Sequence, residues 1–140
     1  LLSFREIPPL LPVLEKFSQP DLIIVDGHGI AHPRGFGLAC HLGIVTGVPT
    51  IGCAKSLLVG TCKKPDNEKG DLAPLIFKGE TVGYALRSRK GTKPLYISPG
   101  HLLDPKEAVK GVQMCLKGYR LPEPTRLAHI EAGRAKQKRN

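Results

Sequence analysis

The stretch Leu22-Ile23-Ile24-Val25-Asp26-Gly27-His28-Gly29-Ile30-Ala31-His32-Pro33-Arg34-Gly35 decides how the chain is read. Four branched apolar residues in an unbroken run, Leu22 to Val25, describe a short strand covered on both faces. Asp26 stands at its carboxyl end, and the glycines and proline that follow describe a loop. From about Phe36 to Thr46 the spacing predicts a helix, with Leu38, Leu42 and Val45 on one face; Gly47 caps it and Pro49 stops it. Thr50-Ile51-Gly52-Cys53-Ala54 is a second buried strand, ending at Lys55. Strand, helix and strand joined by short links make a parallel crossover unit, the signature of an α/β fold.

Upstream, Leu10, Leu11, Val13, Leu14 and Phe17 recur at helical spacing, so a helix is expected from near Glu6 to just before Pro20. Downstream, Lys63 to Gly70 is polar and turn-rich and reads as a surface loop. Thr81–Arg87 and Leu95–Ser98 read as strands joined by the basic turn Ser88–Pro94, with Ser98-Pro99-Gly100-His101 as a turn at the end of the second. Asp104-Pro105-Lys106-Glu107 is a strong helix start, with a capping aspartate, a proline at the first position and a glutamate three residues on. That helix should run to about Leu116, with Gly118 as its stop. A short helix is expected around Arg126–Ala132, and the basic end is expected to fray.

The chain has 140 residues, 41% of them hydrophobic, which suits one domain and argues against disorder. No apolar run is long enough to span a membrane as a helix. Lysine and arginine outnumber aspartate and glutamate by 21 to 12, a net charge of +9 that favours polyanionic partners, nucleic acid first. The four cysteines form no C-x-x-C pair, so zinc is not expected, and no secretory signal opens the sequence; they read as reduced thiols of a cytoplasmic protein, with Cys40 and Cys53 in the core. His28 and His32 would share a face of a helix, but Gly27, Gly29 and Pro33 argue against helix there.

Sites in open α/β sheets gather at the carboxyl ends of strands. Those positions hold Asp26, Lys55 and the turn bearing His101, so a carboxylate, a cation and an imidazole are expected on one edge, with Glu6 able to join them. Two carboxylates are hard oxygen ligands suited to magnesium or manganese. The bland readings are a simple turn at Asp26-Gly27, a capping role for Glu6 with Ser3, a solvated Lys55 and a solvent-facing His101. Gly27 and Gly29, lacking side chains, would let a flat ligand approach the main chain.

The wording of several segments carries a resemblance. Leu1-Leu2-Ser3-Phe4-Arg5-Glu6, Val25 to Arg34, Phe36 to Gly43, Pro49 to Gly52, Ala54-Lys55, Leu95 to His101 and Leu121 to Pro124 together resemble the endonuclease V, or deoxyinosine 3′-endonuclease, family, in order from residue 1 to about 130. The resemblance implies a ribonuclease-H-like α/β fold: a mixed five-stranded sheet flanked by helices. It divides the chain into a domain of residues 1–130 and a basic tail of 131–140. It implies a metal-dependent nuclease that nicks DNA one bond beyond deoxyinosine on the 3′ side, with inosine-containing single-stranded RNA as another substrate class. The cofactor it implies is Mg2+, with Mn2+ as a substitute. Glu6 and Asp26 match metal-binding carboxylates, His101 a histidine near the metal, and Lys55 a lysine near the cleaved phosphate. Leu2, Gly27, His28, Gly29 and Gly37 fall in segments lining the base pocket, and Arg34 suits phosphate contact.

The family's first aspartate, on an amino-terminal strand, and its strand-separating wedge are not in this sequence. The expectation is an amino-terminally truncated member that does not cleave by itself and that self-associates through an uncovered sheet edge. The other readings are a non-catalytic remnant that binds inosine and nucleic acid, and a different ribonuclease-H-like nuclease such as a resolvase.

Overall fold

The computed structural model describes residues 22–122. Six strands and two helices follow in the order β1 (Ile23–Val25), α1 (Leu38–Thr46), β2 (Thr50–Ala54), β3 (Thr61–Cys62), β4 (Leu72–Phe77), β5 (Glu80–Leu86), β6 (Leu95–His101) and α2 (Pro105–Met114). The strands form one mixed sheet in the order β1-β2-β6-β5-β4-β3. The expected helix before Pro20, the short helix around 126–132, the basic tail, Leu2 and Glu6 lie outside the described residues.

The crossover unit forms as the sequence predicts. β1 and β2 run parallel, with Ile24 beside Ile51 and Val25 beside Gly52. Side chains alternate between the two faces of the sheet. Ile23 and Val25 pack with Ala39 and Leu42 of α1. Ile24, Ile51 and Cys53 join Leu86, Leu95 and Ile97 beneath Ala108, Val109 and Val112 of α2. Each helix therefore covers one face, which is why the run 22–25 carries no polar residue.

Within α1 the buried face is Ala39, Cys40, Leu42 and Gly43, while Val45 is exposed, contrary to expectation. The cause is close approach: a side chain at Gly43 would meet His101 Cβ at 2.2 Å and Thr50 Oγ1 at 2.8 Å. Small residues bring this helix onto the sheet and turn its larger ones outward. In α2 the predicted capping box is present. Glu107 N donates to Asp104 Oδ1 at 2.7 Å, and Asp104 N donates to Glu107 Oε1 at 3.0 Å.

Three features differ from the sequence reading. β3 and β4 flank the expected loop of residues 63–70, in stretches to which the sequence assigned no element. β4 carries Pro74, which has no N–H to donate, but β3 pairs only with Leu75 and Ile76, so Pro74 has an open outer side. β4 turns into β5 through Lys78 and Gly79, both at positive φ, the tight two-residue connection of a hairpin. Among the described residues the sheet thus has six strands where five were expected, the two-residue β3 being an outer strip on β4.

The third difference relocates a candidate residue. Ser98-Pro99-Gly100-His101 is not a turn but the second half of β6. A register shift at Thr50/Ile51 opposite Pro99 accommodates the proline inside the sheet. β6 runs antiparallel to β2 and pairs His101 with Thr50 and Tyr96 with Ala54. The carboxyl end of β6 is therefore the opposite end of the sheet from the carboxyl ends of β1 and β2.

Candidate active site at the carboxyl ends of the parallel strands

Asp26 leaves β1 and Lys55 leaves β2 at the same end of the sheet. Their side chains meet, with Lys55 Nζ 3.2 Å from Asp26 Oδ2, and both remain more than one-third exposed. A pair so exposed adds at most about 1 kcal/mol to stability. The arrangement presents hard carboxylate oxygens and a flexible ammonium side by side, at the strand ends where α/β sheets place ligands.

Below the pair lies Cys53, fully buried. Burial pushes its thiol up to about 12; the Asp26 charge adds to the effect, while Arg120 and Lys55 oppose it. This thiol is an inert part of the core. Arg120 is a neighbour that the sequence did not single out. Its guanidinium donates to the carbonyls of Lys93 at 2.9 Å, Pro94 at 3.3 Å and Lys55 at 3.5 Å. It ties the basic turn after β5 to the residue that carries the ammonium group.

The loop after Asp26 is built from both sides. The carbonyls of His28 and Gly29 accept from Ala39 N and Gly37 N, satisfying amides at the start of α1, which has no side-chain cap. On the other side Gly29 N donates to buried Ser98 Oγ at 2.9 Å, and Ile30 N donates to the Pro99 carbonyl at 2.9 Å. A Cβ at Gly29 would fall 2.0 Å from Pro99 O, one at Gly37 2.4 Å from His28 O, and one at Gly52 2.4 Å from Gly29 N. These glycines let main chain lie on main chain. At Gly29 the space a side chain would take is filled by strand β6. Gly27 has room, its nearest neighbours being Val25 Cγ1 at 3.8 Å and Leu38 Cδ2 at 3.9 Å.

His28 is half-buried. Burial lowers its pKa, helped by His32 and opposed by the Asp26 carboxylate. Its imidazole is thus held neutral, close enough to Asp26 to sense its charge. His32 is also lowered, by burial first and then by neighbouring positive charge including Arg34; its Nδ1 accepts from Arg34 N at 3.1 Å. Arg34 is exposed at the outer end of the same loop.

The expected convergence is therefore partial. Asp26, Lys55 and His28 share one end of the sheet. His101 does not join them: from Thr50, its partner, to Lys55 is about 17 Å of extended chain. A Pro-Gly pair carries a turn signal in sequence, but pairing with β2 keeps Pro99 and Gly100 inside β6 and carries His101 to the far end of the sheet. Leu2 and Glu6 lie outside the described residues. Among the described residues no three histidine, cysteine, aspartate or glutamate side chains gather as a metal-holding group. Asp26 fits a divalent ion as one oxygen ligand, being accessible and already facing a cation.

The endonuclease V family model matches residues 1–130. The chain belongs to the endonuclease V family. It is 56% identical over 131 residues to endonuclease V of Gloeobacter violaceus, an alignment covering 92% of this chain and 53% of that protein. The structure of Streptomyces avermitilis endonuclease V superposes with a TM-score of 0.91 at 44% identity, over 99% of this chain and 61% of that one. The Ciona intestinalis endonuclease V, solved with a 23mer DNA containing an inosine followed by a ribo-adenosine, superposes with a TM-score of 0.83 at 28% identity, over 99% of this chain and 66% of that one. The mixed sheet flanked by helices is the ribonuclease-H-like α/β architecture expected from the sequence. The chain spans about half the length of the curated relatives it matches. Among the described residues no helix is long and apolar enough to cross a membrane.

Proposed function

We propose that this chain acts in metal-dependent cleavage of nucleic acid on the 3′ side of inosine or deoxyinosine. The observation that carries the reading is the Asp26–Lys55 pair at the carboxyl ends of adjacent parallel strands, in a chain of the endonuclease V family. In this reading Asp26, with Glu6, holds Mg2+, or Mn2+ in its place. Bound there, the ion would polarise the phosphate and activate water. Lys55 binds the phosphate next to the cleaved bond as a compact point charge. The main chain from Gly27 to Gly29, fixed against β6 and α1, sets a rigid wall for the extruded base, and His28 adds a flat ring on which a base can stack. Arg34 holds the backbone of the strand. His101 has no part in it.

A second reading has a specific observation in its favour. Lys55 is a partly exposed cation and Arg34 an exposed one, and such cations hold a strand by its phosphates whether or not it is cut.

Incubation of the chain with inosine-containing DNA and RNA oligonucleotides and Mg2+ or Mn2+ separates the readings. Product cut 3′ to inosine, lost in Asp26→Asn, supports the nuclease. Tighter binding of inosine-containing strands without product supports the binding role. No preference for inosine in either assay contradicts both.

A further inference from the structure

The end of the sheet that carries Asp26 and Lys55 also carries two loops, and a buried arginine joins them. Arg87, only 7% exposed, directs its guanidinium at three main-chain carbonyls. Nη2 donates to Pro65 at 2.7 Å, Nε to Asp66 at 3.0 Å, and Nη1 to Thr92 at 2.6 Å. Its own amide and carbonyl pair with Asp71 O and Gly70 N. One side chain thus clamps the loop of residues 63–71 to the turn of residues 88–94. Gly91 N donating to Asn67 Oδ1 and the Lys90–Glu68 ion pair at 3.2 Å add to the clamp. Arg120 then fastens the turn to Lys55 through the carbonyls of Lys93 and Lys55.

Two facts about this clamp need a cause. A buried cation is costly without a carboxylate partner, and Arg87 has carbonyls instead. The turn it fixes holds Arg89, Lys90 and Lys93 with no acidic residue, and the side chains of Arg89 and Lys93 are exposed. The fork answers the first: three carbonyls drawn together at one buried point need donors, and a guanidinium supplies them from one side chain. Glu68 offsets Lys90, while Arg89 and Lys93 of the same clamped turn face solvent, where an external polyanion can reach them.

We infer that the Ser88–Pro94 turn, clamped by Arg87, is a second phosphate-binding ridge, continuous with Lys55, on which the backbone of a nucleic-acid strand rests. Arg89 and Lys93 make the contacts; Arg87 is a positioning residue. The inference deepens the function proposed above and rests on it for the choice of nucleic acid as the polyanion.

The test uses the full chain and two fluorescent oligonucleotides of one sequence, with and without inosine, titrated across a range of salt concentrations without divalent metal. Arg89→Ala/Lys93→Ala is expected to weaken binding of both by about tenfold and to make the dependence of log K on log salt shallower by about two. The ratio of affinities for the two oligonucleotides should not change. Lys106→Ala/Lys110→Ala, on α2, is the control and should leave both unchanged. Arg87→Lys keeps the charge but loses the fork. It should weaken binding severalfold, and amide exchange at Gly70 and Gly91 should quicken, although its own side chain is out of a ligand's reach. Equal losses from both double variants, an unchanged salt slope in Arg89→Ala/Lys93→Ala, or no binding by the unaltered chain at low salt would overturn the ridge. Loss through Arg89 and Lys93 with no inosine preference would leave the ridge standing and remove the base-reading function instead.

Discussion

Strand β2 opens on Thr50 and is followed directly by Lys55, and its two ends are built for different purposes. At its start Thr50 is fully buried, its hydroxyl donates to Ala39 O at 2.6 Å, and His101 packs against Gly43. At its end Lys55 stands in solvent with Asp26 for a partner. One end fastens a helix to the sheet; the other offers its polar groups to whatever binds there. Substitutions at the packed parts should cost stability, and substitutions at the open end should cost function.

The largest effect on stability is expected at Gly29, where main chain lies on main chain. Gly29→Ala should cost at least about 3 kcal/mol, since the new methyl would sit on Pro99 O and neither backbone can yield. Gly27→Ala, two residues away, would meet only ordinary contacts with Val25 and Leu38 and should stay within about 0.5 kcal/mol. Urea unfolding of the two variants checks this. Equal midpoints would mean that the loop is not seated on β6.

Next comes the packed end of β2. Gly43→Ala should cost about 1–3 kcal/mol by forcing α1 away from His101. His101→Ala should restore much of that loss in the double variant, a coupling that unfolding of the single and double variants measures directly. Simple additivity would show that the helix does not rest on His101.

The smallest effect should come from protons. His28 has a lowered pKa in the fold, so between that value and the ordinary one near 6.5 the unfolded chain holds more protons. Stability should be unaffected above about pH 6.5 and should fall as the pH drops below it. His28→Gln should flatten that fall in part, because His32 is lowered in the same direction. Urea midpoints measured on both sides of the histidine range check it; a midpoint that rises on acidification would reverse the sign.

The comparison of the two ends also explains what could be read from the sequence. The unit from β1 to β2 was legible because branched runs, Gly47 and Pro49 are local signals, and a parallel crossover places the carboxyl ends of both strands together. Asp26 and Lys55 followed from that geometry. The capping box at Asp104 was equally local. β4 was not legible, since Pro74 breaks its alternation and its support comes from β5. His101 was misplaced for a related reason: Pro99-Gly100 carries a turn signal, and only pairing with β2 keeps it in a strand. Arg120 and Arg87 escaped notice because their partners lie far along the chain, Lys55 being 65 residues from Arg120 and Pro65 22 from Arg87. The structural role of Gly29 was hidden likewise, as a glycine that seats a loop on a strand looks the same in sequence as one that admits a ligand.

The most direct test of the open end is the affinity of Lys55→Ala for an inosine-containing oligonucleotide, measured beside its unfolding midpoint. The expected result is binding weakened by about tenfold with stability changed by less than about 1 kcal/mol. Unchanged binding, with or without a loss of stability, would mean that the carboxyl ends of β1 and β2 are not where this molecule meets its substrate.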